Sequence, residues 1–155
     1  MSEIRTVTEK WDLTYQHSAG PIVSEFYRRV QEEGRIAGRQ CPQCGRVLVP
    51  PRSFCDRCYC DTAEWVNVAS EGVVETFTVV YRKFNRLPDP PYAIAYVRLD
   101  GADTAMLNYV RGLDLSDSDG AVAALKPGLR VRVAFAPREQ RQGSVSDFWW
   151  EPLHG

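Results

Sequence analysis

Residues 40–60 read QCPQCGRVLVPPRSFCDRCYC, and within them Cys41, Cys44, Cys55 and Cys58 fall as C-x2-C-x10-C-x2-C. Two such pairs can set four thiolates tetrahedrally around one metal ion, so the stretch reads as a metal knot rather than as buried thiols or disulfides. In the first pair Gly45 follows Cys44 and allows the positive-φ turn that aims backbone N–H groups at the ligand sulfurs. In the second, Tyr59 stands where that glycine is expected, and a surplus Cys60 comes next. A closed set of four thiolates suits zinc and iron alike, but no redox-partner or cofactor motif accompanies it, so structural zinc is expected.

Disulfides need an oxidising compartment. Residues 1–14 carry Glu3, Arg5, Glu9, Lys10 and Asp12 in place of an apolar signal segment, and no membrane-length apolar run occurs. A cytoplasmic protein without a membrane partner is therefore expected. The net charge of -1 and pI near 6.1 supply no global field toward nucleic acid or anionic lipid. With 155 residues and 44% hydrophobic content the chain can build one modest core with an appended module.

Outward from the knot, Ile22, Val23, Phe26, Tyr27 and Val30 fall at helical spacing between Gly20 and Gly34, with Pro21 suited to the first turn and Gly34 to the stop. An amphipathic helix is predicted there. Before it, Trp11, Leu13 and Tyr15 follow no clear period and mark an arm that orders by docking, a simply frayed terminus being the alternative. Within the knot, Val47-Leu48-Val49 and Pro50-Pro51-Arg52 fit a short hairpin with a proline-rich bend.

After Trp65 the texture turns to β. The segments 72–84, 92–99, 105–110, 130–135 and 145–150 are rich in β-branched and aromatic residues. Val131, Val133 and Phe135 alternate with Arg130 and Arg132. Five strands, with a rigid loop at 86–91 and a longer connection through 116–128, match a five-stranded OB-type barrel, a small sandwich being the alternative. The fold class expected is mainly β: an N-terminal arm and helix over 1–37, a rubredoxin-like zinc ribbon over 38–65 and an OB-fold over 66–155.

The ordered motifs CPQCG (41–45), VPPRSFCDRC (49–58), Trp65, GVVETFTVVYR (72–82), PYAIAYVRLD (91–100) and LKPGLRVRVAF (125–135) carry a resemblance. Over residues 20–152 the chain resembles the acyl-CoA-associated family that joins a rubredoxin-like zinc ribbon to an OB-fold. The resemblance implies zinc on Cys41, Cys44, Cys55 and Cys58; Tyr59 in place of the usual glycine and the added Cys60 depart from the family pattern and leave Cys60 as an outside candidate ligand. It also implies assembly with a thiolase, a thiolase-like aldolase or a hydroxymethylglutaryl-CoA synthase-like enzyme, as a hetero-oligomer with two copies of each chain. The catalytic cysteine and histidines of such complexes belong to the partner, so none is carried onto this chain.

The residues argue in the same direction. Acyl transfer needs an activated nucleophile with a base in reach, and the histidines are His17 and His154, both near the termini. A Cys60–His17 dyad is the one pairing available, and a spare ribbon thiol with a terminal histidine is the plainer reading. The chain carries no phosphate-cradling loop, dinucleotide fingerprint or H-E-x-x-H motif. The expectation is a non-catalytic subunit sharing a coenzyme A thioester with its partner, whose phosphates Arg35, Arg39, Arg46, Arg52 and Arg57 could bind. Single-stranded nucleic-acid binding is the competing class. Near-neutral charge speaks against it, while Tyr81, Arg82, Lys83, Phe84 and Arg86 form the one patch that suits it.

Overall fold

The computed structural model describes residues 6–8 and 16–153, so Trp11, Leu13, Tyr15 and His154 lie outside the described residues. Helix α1 spans Gly20–Glu33, with Pro21 in its first turn and Gly34 at its end. Gly34 has φ 62°, and its N–H donates to the Val30 carbonyl at 3.2 Å. The left-handed backbone there favours glycine, and a Cβ would stand 2.7 Å from the Arg141 guanidinium and push it aside. That guanidinium donates to the carbonyls of Ala136 (2.7 Å) and Gln31 (3.4 Å), and Gln31 returns a bond to the Arg141 carbonyl (3.1 Å). The end of α1 is thus tied to a loop 110 residues away, while Phe26 and Val30 bury the inner face.

The ribbon is a three-stranded antiparallel sheet rather than a plain hairpin. Strand β1 (Ala37–Gln40) lies between β2 (Val47–Leu48) and β3 (Trp65–Asn67). Gly38 is required by close approach, because a Cβ would meet Val47 Cγ1 at 2.7 Å and the Leu48 carbonyl at 2.8 Å. Arg29 of α1 and Arg39 of β1 both stack on Trp65, at 4.8 and 5.4 Å from the ring centroid. The indole therefore joins helix to ribbon.

Five strands close the second module: β4 (Glu71–Val80), β5 (Tyr92–Leu99), β6 (Met106–Val110), β7 (Arg130–Phe135) and β8 (Phe148–Pro152). Their order is β4-β5-β6-β8-β7, with β7 returning to β4 and with β6 and β8 parallel where Val110 meets Trp150. This is the OB-type barrel, not the sandwich. Ala93, Ala95, Val97 and Leu99 point inward from β5, and Val131 and Val133 from β7, around the fully buried Trp150. The Trp150 indole donates to the Ala95 carbonyl at 3.3 Å.

Three further expectations differ from the structure. The first strand ends at Val80, and Tyr81–Phe84 leave the sheet as exposed loop. The connection through 116–128 holds a short helix α2 (Ser118–Ala124), whose Gly120 N–H donates to the Asp117 carboxylate at 2.7 Å. Leu125 then enters the core. The last strand begins at Phe148, because Val145–Asp147 form a 3-10 turn with a capping box between Ser144 and Asp147. Among the described residues no helix is long and apolar enough to cross a membrane.

Candidate metal centre and the groove beside it

Each cysteine pair sits on the same backbone turn. In the first, Cys41 N–H donates to the Arg46 carbonyl (2.9 Å) and Gly45 N–H to the Cys41 carbonyl (3.0 Å). In the second, Cys55 N–H donates to the Cys60 carbonyl (2.8 Å) and Tyr59 N–H to the Cys55 carbonyl (2.9 Å). Gly45 has φ 73° and Tyr59 φ 54°, so the tyrosine adopts the turn expected of glycine. A salt bridge from Arg46 to Asp56, at 3.0 Å, spans the two knuckles.

These turns bring the sulfurs of Cys41, Cys44, Cys55 and Cys58 within 4.8 Å of one another. Cys44 and Cys55 are separated by 3.8 Å, close to the roughly 3.8 Å that two thiolates keep when each is about 2.3 Å from one tetrahedral zinc. Four soft donors, two of them on fully buried cysteines, Cys41 and Cys55, therefore fit a closed structural zinc. Backbone N–H groups of Cys44 and Gln43 hold the Cys41 thiol down at about 6. Hydrogen bonding to the Cys44 sulfur, together with burial, pushes Cys58 up to about 12. Packed this closely, the thiols resist losing all their protons together, and a divalent cation supplies the missing positive charge. Zinc in such a site cross-links the two knuckles.

Barrel residues clasp the ribbon. Val47 N–H donates to the Asp103 carboxylate and Asp103 N–H to the Val47 carbonyl, both at 2.8 Å. Val49 N–H donates to Thr104 Oγ1 (2.7 Å), and the Thr104 hydroxyl donates to the Val49 carbonyl (2.8 Å). The free edge of β2 is thereby paired by the loop between β5 and β6. Nothing in the sequence singles out Asp103 and Thr104 for this, because the contact crosses more than 50 residues.

Three of the five arginines are engaged by neighbouring groups. Arg35 pairs with Glu33 (2.8 Å), Arg39 donates to the side chain and carbonyl of Thr62, and Arg46 is held by Asp56. Arg52 and Arg57 are exposed and have no side-chain partner among the described residues. Arg52 stands at the rim of a groove of about 440 Å³ where α1, the Pro50-Pro51 bend and the outer face of the barrel meet. Val23, Tyr27, Pro51, Tyr96, Leu107 and Val145 line it. Tyr96 and Leu107 are cross-strand neighbours, 45% and 41% exposed. A signal for this face was present in the sequence: inward Ala93, Ala95 and Val97 force Ile94 and Tyr96 outward, where polar residues are usual.

Comparison with known proteins matches this anatomy. Residues 32–61 match the family described as the ChsH2 rubredoxin-like zinc ribbon domain, and residues 65–136 the ChsH2 C-terminal OB-fold domain. A DUF35 domain-containing scaffold protein of Methanocaldococcus jannaschii is 30% identical over 83 residues, which span 51% of this chain and 57% of that protein. A crystal structure of a DUF35-family protein of unknown function from Sulfolobus solfataricus is similar with a TM-score of 0.61 at 21% identity, covering 86% of this chain and 87% of that one. The structure named Ltp2-ChsH2(DUF35) aldolase is similar with a TM-score of 0.61 at 17% identity, covering 83% and 92%. At these identities the two structures share the fold with this chain. The chain joins a ChsH2-type zinc ribbon to a ChsH2-type OB-fold.

Proposed function

We propose that this chain, a zinc ribbon and OB-fold of the ChsH2 (DUF35) kind, is a non-catalytic subunit that docks on a thiolase-type acyl-CoA enzyme and supports its assembly and substrate binding. The observation that carries the reading is the apolar groove spanning both modules, with Tyr96, Leu107 and Val145 exposed on one side and Arg52 at its rim. A contiguous apolar face of this kind, rimmed by polar groups, marks an interaction site. The scaffold name of the M. jannaschii relative and the aldolase name of the solved ChsH2 structure support an accessory role. Trp11, Leu13 and Tyr15, outside the described residues, are proposed as further anchors.

Within this reading Arg52 and Arg57 are the arginines open to coenzyme A phosphates, since Arg35, Arg39 and Arg46 are engaged by Glu33, Thr62 and Asp56. A narrower resemblance, to the small subunit of benzoylsuccinyl-CoA thiolase of anaerobic toluene degradation, supports thiolysis of that thioester by a complex with two copies of each chain. A thiolase-like aldolase or a hydroxymethylglutaryl-CoA synthase-like enzyme is the alternative partner. Single-stranded nucleic acid is the competing ligand, favoured by exposed Tyr81 and Phe84 beside Arg82 and Lys83. Purification of the tagged chain from its native host tests the choice. Co-elution of a thiolase-superfamily polypeptide in fixed ratio, with acyl-CoA turnover, is expected; co-elution of nucleic acid in its place would overturn the proposal.

A further inference from the structure

We propose that Cys60 is a reserve zinc ligand, its thiolate taking the fourth position on the metal whenever Cys58 leaves it. The Cys60 sulfur lies 3.7 Å from that of Cys41. Two thiolates on one tetrahedral zinc stand roughly 3.8 Å apart, which is also the distance between Cys44 and Cys55. Cys60 thus keeps a ligand's distance from a ligand, while remaining outside the group of four sulfurs that all lie within 4.8 Å of one another. That spacing, which is also an ordinary sulfur–sulfur contact, puts Cys60 at the edge of the cluster beside Cys41.

The local backbone identifies the ligand it replaces. Cys58 and Cys60 flank Tyr59 on one turn, and that turn is pinned on both sides of Tyr59 by Cys55. The Cys55 N–H holds the Cys60 carbonyl and the Cys55 carbonyl holds the Tyr59 N–H, at 2.8 and 2.9 Å. An exchange of Cys58 for Cys60 therefore stays within one knuckle. The matching position in the first knuckle is Arg46, whose side chain turns away to Asp56, so Cys41 and Cys44 have no such substitute on their own turn. Zinc has no ligand-field preference among thiolates and a closed site holds four, so Cys60 replaces a ligand and does not add a fifth. The Cys41 and Cys60 sulfurs share a hydrogen-bonding contact in which either can donate.

Metal content and cobalt(II) substitution of the full chain test this, because sulfur-to-cobalt charge-transfer absorption scales with the number of bound thiolates. Cys58→Ser is expected to keep one metal per chain and the wild-type charge-transfer intensity, whereas Cys58→Ser combined with Cys60→Ser should fall to about three quarters of it or lose the metal. Cys60→Ser alone should hold zinc at equilibrium but surrender it to a chelator several-fold faster than the wild type. Cys58→Ser with three-thiolate intensity, without metal or without a fold would overturn the proposal. So would a Cys60→Ser chain that releases zinc at the wild-type rate.

Discussion

Tyr59 stands in the second knuckle where Gly45 stands in the first. Both have positive φ, 54° and 73°, and each donates its N–H to the carbonyl of the first cysteine of its own pair, at 2.9 and 3.0 Å. A side chain in this left-handed region costs about 1 kcal/mol relative to glycine, and the Tyr59 ring, 85% exposed, recovers little by packing within the described chain.

Tyr59→Gly is therefore expected to keep its zinc and to match or exceed the wild type in thermal stability by up to about 1 kcal/mol. Gly45→Val, which forces a β-branched side chain into the same turn, should lose about 1–2 kcal/mol. Thermal unfolding followed by circular dichroism, with metal analysis of each variant, measures both.

Cys44→Ser should lose the metal and local order in the ribbon, while the barrel keeps its β-structure. Zinc binding supplies much of the folding free energy of so small a knot, but the barrel has its own core around Trp150 and Val131. Elemental analysis and amide exchange resolve the two effects; ribbon amides as protected as in the wild type would contradict the account.

Much of the fold was legible because its strongest signals are local. Strands 92–99 and 130–135 fall where alternation places them, since Ala93, Ala95, Val97 and Leu99 in the first and Val131 and Val133 in the second turn into the core. The cysteine spacing announced the knot, and Pro21 and Gly34 bracket the helix as their chemistry requires. Helix α2 leaves little trace in the sequence because it is only about two turns long and holds Gly120, although Asp117 is a readable cap. The turn before Phe148 was missed because Val145 looked strand-like, and the S-x-x-D pattern of Ser144 and Asp147 was the overlooked sign. Arg141 under the end of α1, and Asp103 and Thr104 on the ribbon edge, had no sequence signal. Their roles exist only once distant segments meet.

The clasp should be separable from the metal. Thr104→Val and Asp103→Ala leave the backbone N–H of Val49 and of Val47, respectively, without its acceptor, at a cost of about 1–3 kcal/mol each. The amides of Val47 and Val49 are expected to exchange faster in these variants, with zinc content unchanged. Loss of zinc in step with the clasp would mean that the ribbon cannot hold its metal without the barrel.

Asp147 gives a pH-dependent test. Burial alone would raise its pKa, but the N–H groups of Gln142, Ser144 and Gly143, at 2.7 to 3.1 Å, hold the carboxyl below its usual range. A carboxylate with a lower pKa folded than unfolded contributes fully above its unfolded value, roughly 3.9, and loses that contribution as pH falls through the folded value. Asp147→Asn should cost about 1–3 kcal/mol at neutral pH. The gap between wild type and variant should close on acidification below the folded pKa; a gap independent of pH would show that shape, not charge, fixes this turn.

The central claim is that this chain completes an acyl-CoA enzyme without doing the chemistry. Assay of acyl-CoA turnover by the purified chain, by its separately purified thiolase-type partner, and by the two mixed, tests it most directly. The account predicts turnover in the mixture, none from this chain alone, and a deficient or unstable partner when alone. A Tyr96→Glu, Leu107→Glu chain should keep its fold and zinc yet fail to restore the partner. Turnover by this chain alone, or a partner equally active without it, would contradict the claim.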